Sequence, residues 1–490
     1  MKRRPLIKIL VLLAMVTGLL SCGGGGGGVV AGIGGTGVTS NGTITGFGSI
    51  FVNGVEYGIS AATVQTNDVP GTPSDLKLGM VVKVSGTVNS DGRTGTANTV
   101  TYDANLKGPV AHVQRTTSTT GTFTVLGKTV AFDSTTTTYG GTAFNTLSAA
   151  APADVVQVSG FQDAAGVLHA TRIDKTGSFQ TDKRFEAKGV VSNYNNAGSA
   201  GGTFDLDMKT ATLSVTIGSA TVVPGGFANG DYVEIRGTLA SPSATAVTAD
   251  AIQIESATLG TDLPNASVEG IVDCGTTPAT SAGAACPDQR LFSISGQKVD
   301  ASGATLEPAA LVLRQGSRAE AEGPISAGVL KAAKVEGRSG EIEIAAPVAS
   351  VDPAGGTLAL SLDGSPITVS VTSRTQLEDE RSAVSPFTLN DVFAGDFLRV
   401  EGLSDGAGGV TATHLKRVSA PSPMEATVTA PVESFTTTSV KVLGVSYGVS
   451  ATTTLSPADL LSAPALHTGD RVQIVDQGND GLAESVTLDN

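Results

Sequence analysis

A short line of residues recurs six times along this chain, and no other feature constrains its fold as strongly. In idealised form the line reads Gly-Asp-x-Val-x-Val-x-Gly, with two apolar residues alternating with variable ones. The six copies occupy residues 79–86, 153–160, 230–237, 316–323, 395–402 and 469–476. Their last residues are 74, 77, 86, 79 and 74 positions apart. A recurrence at this period predicts a string of similar small domains.

The two apolar positions of the line predict the inner face of a β-strand, because period-two alternation is typical of a half-buried antiparallel strand. The predicted inward pairs are Val82 and Val84, Val156 and Val158, Val233 and Ile235, Ala319 and Ala321, Leu398 and Val400, and Val472 and Ile474. The residue between the two members of each pair is expected to face away from the core. These residues are Lys83, Gln157, Glu234, Glu320, Arg399 and Gln473.

Each copy carries signals for five strands. A first strand is followed by a hairpin, such as the one at Asn53-Gly54, then by the recurrent line and by a strand of the form Ala-x-x-apolar. A long connection between strands three and four resembles the order of an OB-type Greek-key barrel. An SH3-like barrel or a partly open sheet also fits. The sequence therefore predicts an all-β tandem array of about six small five-stranded OB-like β-barrels, and the short joins favour an extended arrangement.

The recurrence also sets the predicted domain boundaries. Residues 1–21 are predicted to be a signal peptide and residues 22–40 a tether. The six β repeats are predicted at residues 41–105, 106–177, 184–258, 263–338, 341–419 and 424–490.

The N-terminus predicts export and lipid anchoring. Four cations (Lys2, Arg3, Arg4 and Lys8) precede an apolar run at residues 9–20 that is too short to span a bilayer. The run ends in Leu19-Leu20-Ser21-Cys22, which resembles the lipobox of bacterial lipoproteins. That resemblance implies acyl chains on Cys22, attachment of the protein to a membrane through this N-terminal lipid anchor, and a location in the cell envelope. No aspartate follows Cys22, which by the same resemblance favours the outer membrane, on either face.

The charge balance argues against nucleic acid as a partner. The full sequence has a formal net charge of −14, and removal of the signal would take four cations away. Sequence-independent binding to nucleic acid needs clustered cations. Trp is absent and aromatic residues make up 4% of the chain, a composition that suits short strands and thin cores.

Cys274 and Cys286 are the only cysteines besides Cys22. In an exported protein the default for such a pair is a disulfide. Both lie early in the fourth repeat, whose period is the longest, so we expect them to staple an insertion there. A metal site would need more ligands than the neighbouring Asp273 and Asp288 supply.

The first copy carries a family resemblance. Residues 42–55 read GTITGFGSIFVNGV and residues 76–87 read LKLGMVVKVSGT. These segments resemble the bacterial family called domain of unknown function 5666, which occurs in exported and often lipid-anchored proteins. The resemblance covers residues 41–105 well, is weaker in later copies and is weakest in the fourth. It implies no catalytic residues and no cofactor.

Several motifs have a structural interpretation that is simpler than a catalytic one. Residues 444–448 match the Gly-x-Ser-x-Gly elbow of serine hydrolases, but Ser446 falls at an ordinary hairpin position. Residues 32–37 spell a dinucleotide-binding string inside the predicted tether. The histidines do not occupy corresponding positions and are expected to be scattered over the surface: His112, His169, His414 and His467.

The aspartates near strand four are interpreted in the same way. Asp91, Asp405 and Asp480 each precede a glycine, and Asp-Gly is typical of a tight turn. The stretch 476–481 departs from EF-hand spacing at Gly478 and Thr487, so a turn is favoured over calcium. Asp154, Asp231, Asp396 and Asp470 recur before strand four and are expected to cap turns. We expect no metal and no cofactor.

These observations favour a non-enzymatic, envelope-anchored lipoprotein whose β-domains act as a spacer, scaffold or interaction surface. The alternative is a glycan- or peptide-binding protein of the cell surface, with an envelope protein or glycan as partner. For that alternative, Phe51, Tyr57 and Tyr447 are the expected exposed aromatic contacts. An enzyme is the third hypothesis, and it would need polar groups that converge from different copies.

Overall fold

The six copies fold into six small β-structures, numbered here barrels 1 to 6 in chain order. The computed structural model describes residues 35–47, 49–116, 120–133, 136–196, 202–275, 283–307, 311–338, 342–372, 375–381, 387–404, 409–461, 466 and 470–488. The architecture is all-β, as predicted, apart from short 3-10 turns such as Pro73–Asp75 and Leu389–Asp391.

Barrels 1 to 3 comprise the first eighteen strands. Barrel 1 consists of β1 (Gly35–Phe47), β2 (Ile50–Val52), β3 (Val55–Gly58), β4 (Thr63–Thr66), β5 (Val69–Gly71), β6 (Val81–Val88) and β7 (Thr94–Tyr102). Barrel 2 consists of β8 (Leu106–Arg115), β9 (Thr120–Val125), β10 (Lys128–Asp133), β11 (Thr138–Gly140), β12 (Asp154–Gln162) and β13 (Leu168–Ser178). Barrel 3 consists of β14 (Arg184–Asn196), β15 (Gly202–Asp207), β16 (Thr212–Ile217), β17 (Tyr232–Thr238) and β18 (Ala246–Ile254).

Barrels 4 to 6 follow the same plan. Barrel 4 consists of β19 (Leu263–Asp273), β20 (Leu291–Ile294), β21 (Gln297–Asp300), β22 (Thr305–Glu307), β23 (Arg318–Ser326), β24 (Val329–Lys331) and β25 (Lys334–Gly337). Barrel 5 consists of β26 (Ile342–Asp352), β27 (Thr357–Leu362), β28 (Ser365–Ser370), β29 (Gln376–Asp379), β30 (Phe397–Ser404) and β31 (Val410–Val418). Barrel 6 consists of β32 (Glu425–Pro431), β33 (Ser434–Thr436), β34 (Ser439–Val442), β35 (Val445–Gly448), β36 (Thr454–Ser456), β37 (Arg471–Gln477) and β38 (Ser485–Leu488).

The main strands close in one recurring order, which barrel 2 illustrates. There β8 pairs with β9, β9 with β10, β10 with β13 in parallel, β13 with β12, and β12 with β8. The strand order one-two-three-five-four is that of an OB-type barrel. Barrels 1, 3, 4 and 5 repeat it, while in barrel 6 a separate three-stranded sheet is joined to the rest by the parallel bridge Gly448–Leu482. The predicted OB-like fold is therefore confirmed.

The recurrent line forms strand four of every barrel, and its inner face was predicted correctly. These strands are β6, β12, β17, β23, β30 and β37. All twelve apolar residues of the predicted inward pairs are at most 1% exposed. Because burial of an aliphatic side chain contributes about 1.5–3 kcal/mol, these pairs are a large part of what holds each thin core together.

The glycine that ends the line is required by a close approach between strands four and five. The pairing register shifts at Ser159/Gly160 in barrel 2, and a Cβ on Gly160 would clash with the carbonyl oxygen of His169. Barrels 1, 3 and 5 have the same shift at the corresponding glycine. Such a bulge bends the strand and increases its twist, which a small barrel needs in order to close.

The aspartate of the line caps the turn that leads into strand four. Asp231 accepts the backbone N–H of Ala228 at 2.7 Å, and Asp396 accepts that of Phe393 at 3.0 Å. Asp154 accepts the N–H of Ser148 in the same way, at 3.0 Å. The predicted capping role is confirmed for these three residues.

Barrels pair through their first strands, and the expected extended arrangement is wrong. β8 pairs with β14 and β26 with β32, so that barrels 2 and 3, and barrels 5 and 6, each share one core. β1 pairs in parallel with β19, which joins barrel 1 to barrel 4 across more than two hundred residues. The described residues belong to one compact unit. Short joins between copies do not prevent distant copies from meeting when their strands and outer faces are complementary.

The last six residues of the predicted tether belong to barrel 1. β1 begins at Gly35, and Val38 and Ser40 are buried where β1 pairs with β6 and β19. The glycine string at 32–37 thus runs into a strand. Cys22 and the predicted signal peptide lie outside the described residues. Within the described residues no helix is both long and apolar enough to cross a membrane.

Cys274 and Cys286 form a disulfide in barrel 4, with an S–S distance of 2.03 Å. Both half-cystines are buried against the core of that barrel. The bond closes the connection between β19 and β20, where the longest repeat carries its insertion.

Candidate functional site

The outer face of strand four has a polar side chain in every barrel, between the two inward apolar residues. Lys83 is exposed, and Gln157 and Arg399 are half-buried. Glu234, Glu320 and Gln473 are only 2%, 0% and 8% exposed. The outward direction of these residues was predicted correctly, and in three copies the outward side chain is nevertheless buried. Neighbouring barrels or strands cover it, and the pattern of one strand cannot indicate such a cover.

A network of buried charges joins barrel 4 to barrel 1. Glu269 accepts the backbone N–H of Thr43 at 2.7 Å and pairs with Arg318 at 2.7 Å. Arg318 also donates to the Thr43 hydroxyl at 2.7 Å. Burial alone would raise the pKa of Glu269, but Arg318, Arg338 and the Thr43 N–H together hold it below its usual value. This carboxylate is therefore kept ionised inside the interface.

Glu320 lies beside Glu269 in the same network, and its pKa is shifted in the opposite direction. It accepts the Ser267 hydroxyl at 2.6 Å and lies between Glu269 and Glu336 in the ladder. Burial, and then the charge of Glu322, raise its pKa above the usual range. Two neighbouring carboxylates thus have their pKa values pushed apart by their surroundings.

Barrel 5 contributes a second buried cluster, and for His414 the expectation of a surface position is wrong. His112 is exposed and His169 half-buried, while His467 lies outside the described residues. His414 is 4% exposed and lies 3.4 Å from Glu378, which is also 3.4 Å from the Nζ atom of Lys416. Burial lowers the pKa of His414. Burial would raise the pKa of Glu378, but Lys416 and His414 bring it to about 2.

A polar cavity of about 20 Å³ lies where barrels 1, 4 and 5 meet. Gln376 and His414 of barrel 5 line it together with Glu269, Arg318 and Arg338 of barrel 4. Its volume suits a single water molecule. It is too small for an organic substrate.

Barrel 3 has a charged cluster of its own, facing barrel 1. Arg236 pairs with Glu186 at 3.2 Å and with Asp68 of barrel 1 at 2.8 Å, and it also contacts Glu234. Lys188 pairs with Glu234 at 3.0 Å. Burial raises the pKa of both Glu186 and Glu234, and the charge of Glu234 adds to the rise at Glu186.

A concave site of about 450 Å³ lies between barrels 1, 2, 3 and 4. We call it the central cleft. One wall is the outer face of barrel 1, where Asn41, Lys83 and Thr101 lie opposite one another on β1, β6 and β7. The corresponding face of barrel 3 forms the opposite wall, with Val190 opposite Tyr232 and the Glu255 N–H bonded to the Tyr232 carbonyl. Corresponding faces of two copies thus line one space of ligand size.

The central cleft carries charges of both signs. Its acidic residues are Asp103, Asp163, Asp207, Glu255 and Asp273, and its lysines are Lys83, Lys188 and Lys209. Burial raises the pKa of Asp103 and of Glu255. Sequence patterns missed this site, because its walls come from four copies. The one available signal for a site on these faces was that the residue between the two inward apolar residues of strand four differs from copy to copy.

The aromatic residues predicted as ligand contacts are not in this cleft. Tyr57 and Tyr447 are 0% and 1% exposed, so the expectation that they are surface residues is wrong. Each points into its own barrel because it lies on the inner side of the second hairpin strand, alternating with Glu56 or Ser446. Phe51 is half-buried and packs against Gly46.

Of the other motifs, those within the described residues have the local roles that the sequence suggested, and Asp405 lies outside them. Ser446 lies in the hairpin strand β35, and no helix follows it within residues 449–461. Asp91 accepts the N–H groups of Arg93 and Thr94, and Asp476 accepts those of Asp480 and Gly481, as turn residues do. Among the described residues, no three His, Cys, Asp or Glu side chains are grouped closely enough to hold a metal ion.

Comparison with known proteins gives a family and no activity. No curated protein matches the chain. A solved structure titled drosophila Unr CSD456 matches at 13% identity, covering 45% of this chain and 98% of that one, but its TM-score of 0.16 is too low to support any argument. The model of the family described as Domain of unknown function (DUF5666) matches residues 37–101, 107–174, 188–253, 346–416 and 429–486. These matches cover barrels 1, 2, 3, 5 and 6, and this chain therefore belongs to the DUF5666 family.

Proposed function

We propose that this protein is a non-enzymatic, lipid-anchored scaffold of the cell envelope. Its barrels would act together as one preassembled body that presents an interaction surface at a distance from the membrane. The outer membrane is the proposed location, with Cys22 as the lipidated residue.

One observation carries this proposal. The polar residues that vary between copies are used in contacts between barrels, as with Arg318 and the Thr43 hydroxyl at 2.7 Å and Arg236 and Asp68 at 2.8 Å. An enzyme would instead use such residues for a nucleophile and a base within hydrogen-bond reach of each other. Partly buried charge pairs also favour one arrangement of the barrels over others, because a misplaced barrel leaves charges desolvated and unpaired.

The anchoring half of the proposal is tested with Cys22→Ala. In cells fed radiolabelled palmitate, the wild-type chain should take up label and sediment with membranes. The variant should lose the label and appear in the soluble fraction. A variant that still sediments with membranes would show that Cys22 is not the anchor.

The scaffold half is tested by opening the interface between barrels 1 and 3. Arg236→Glu reverses the charge that pairs with Asp68 and Glu186. We expect cross-links to neighbouring envelope proteins in intact cells to be lost, while lipid labelling persists. Arg184→Glu is the control, because Arg184 is about half exposed and its partners among the described residues, Asp250 and Thr238, are exposed. Unchanged cross-links in Arg236→Glu, with the interface shown to be open by protease sensitivity, would contradict the scaffold role.

A further inference from the structure

We propose that the central cleft binds a neutral, hydroxyl-rich ligand, a short oligosaccharide segment, through the side chains of Asn41, Lys83 and Glu255. The backbone of Asn41 takes part in the β1–β19 pairing that joins barrels 1 and 4, but the proposed ligand contacts are made by side chains. The inference does not depend on the anchored scaffold role proposed above.

The cleft has the dimensions of a ligand site. Its volume of about 450 Å³ lies within the range of roughly 300–1,000 Å³ that is usual for such sites. Its walls are β-sheet faces held by ladder pairing, including β1 with β6 and β14 with β17. A site on rigid strands is largely formed before the ligand arrives, which reduces the entropy lost on binding.

Three polar side chains in the cleft are unused by the fold. Among the described residues, the Asn41 amide, the Lys83 ammonium and the Glu255 carboxylate have no hydrogen bond or ion pair to another side chain or to the backbone. Asn41 and Lys83 lie directly opposite each other on β1 and β6. Glu255 lies on the barrel 3 wall and is half-buried, so water solvates it only in part. These groups supply donors and an acceptor from two sides of one space.

The mixture of groups favours hydroxyls over a charged ligand. An amide, an ammonium and a carboxylate can donate to and accept from neighbouring hydroxyl groups, each of which is both donor and acceptor. With five carboxylates and three lysines around the cleft, a strongly anionic or strongly cationic ligand would meet like charge. Val190, 41% exposed, and the adjacent Tyr232 add an apolar patch on the same wall, against which the C–H face of a sugar ring can pack.

The same geometry disfavours an extended peptide. Peptides that bind to sheets do so by adding a strand to an open edge. Here β1, β6 and β7, and likewise β14, β17 and β18, present side chains to the cleft, because their backbones are paired with each other. A nucleic acid is excluded by the acidic balance of the walls.

The test uses the full-length chain in detergent and an array of neutral and charged glycans, with a pool of random hexapeptides as a second arm. Glycans that bind on the array are then measured by isothermal titration calorimetry and by saturation-transfer NMR. We expect binding of neutral oligosaccharides. We expect Asn41→Ala, Lys83→Ala and Glu255→Ala each to weaken it about tenfold, the effect of losing one hydrogen bond to a charged or amide group.

Matched controls separate the site from general surface effects. Lys298→Ala removes an exposed lysine from barrel 4, and Glu425→Ala removes a half-buried glutamate from barrel 6, both outside the cleft. Neither should change affinity. Because the three cleft side chains have no partners within the part of the chain that the structure describes, their variants should keep the wild-type melting temperature. The proposal is overturned if no glycan binds, if only charged glycans or peptides bind, or if the triple variant binds as wild type does.

Discussion

The ammonium of Lys416 in barrel 5 donates a hydrogen bond of 2.9 Å to the backbone carbonyl of Thr137 in barrel 2, 279 residues earlier in the chain. Lys416 is fully buried, lies over the ring of Tyr139 and pairs with Glu378 at 3.4 Å. One side chain thus ties the second copy of the repeat to the fifth. A buried charge of this kind stabilises only while all its partners are in place.

Lys416→Ala should therefore destabilise the protein strongly. It removes the main cation beside buried Glu378, and such a loss costs about 3–5 kcal/mol. The matched control is Lys441→Ala, since Lys441 also pairs with a glutamate, Glu433 at 3.3 Å, but both side chains are more than 40% exposed. We expect a change of at most about 1 kcal/mol there. Urea unfolding of both variants checks this, and equal effects would contradict it.

Gly160→Ala should destabilise the protein, because the last position of the recurrent line has no room for a side chain. The added Cβ meets the backbone carbonyl of His169, which cannot move without disturbing the β12–β13 ladder. Overpacking of this kind costs about 1–3 kcal/mol. Gly303→Ala is the control, because nothing lies within 4 Å of its added Cβ. That change should be neutral or stabilise by up to about 1 kcal/mol, as measured by thermal unfolding.

Tyr57→Phe and Tyr447→Phe should differ although both side chains are buried. The Tyr57 hydroxyl is hydrogen-bonded to Ser40 Oγ at 2.8 Å, whereas within the described residues the Tyr447 hydroxyl has no partner. Removing the first should cost about 1 kcal/mol, while removing a buried and unsatisfied hydroxyl is neutral or stabilising. Denaturant midpoints measured side by side test this. A larger loss in Tyr447→Phe would mean that its hydroxyl is satisfied.

Stability should fall as pH rises from about 4.5 into the neutral range. Burial raises the folded-state pKa of Glu186 and of Glu320 above the ordinary value of 4.5. Each carboxyl then holds its proton more tightly in the folded than in the unfolded chain. The stability that this carboxyl contributes is fully present below its pKa in the unfolded chain. It is lost as the pH rises through its pKa in the folded chain.

The measurement is the free energy of unfolding at a series of pH values. Glu186→Gln with Glu320→Gln should flatten the slope in this window, while Glu425→Gln, a half-buried side chain in barrel 6, should leave it unchanged. Glu269 and Glu378 have lowered pKa values and act only at more acidic pH. A slope that survives the double substitution would show that other groups cause it.

The inside of each barrel could be predicted from the sequence, because it depends on local periodicity. Val158 and Val400 were assigned to the core from alternation alone, and both are 0% exposed. The glycine and aspartate of the line were assigned structural roles on the same basis, since turns and caps are satisfied within a few residues. The Cys274–Cys286 bond followed from two cysteines of one insertion.

The outside of each barrel could not be predicted in the same way. Glu320 was expected to face away from its core, and it does, but the fact that it is fully buried depends on barrels far along the chain. Val38 looked like part of a flexible segment because its partner strand, β19, lies more than two hundred residues later. Tyr57 and Tyr447 were expected at the surface, but each lies on the inner side of its hairpin strand. An aromatic residue can occupy either side of such a strand, so residue type alone does not indicate which.

The pairing of β1 with β19 has a consequence for any shortened form of this protein. A chain that ends before residue 263 would keep all seven strands of barrel 1 but lose the partner of Val38 to Asn41. An unpaired strand edge is a template for pairing with another molecule. Fragments of the first three repeats are therefore expected to self-associate, and a soluble monomer will require the fourth.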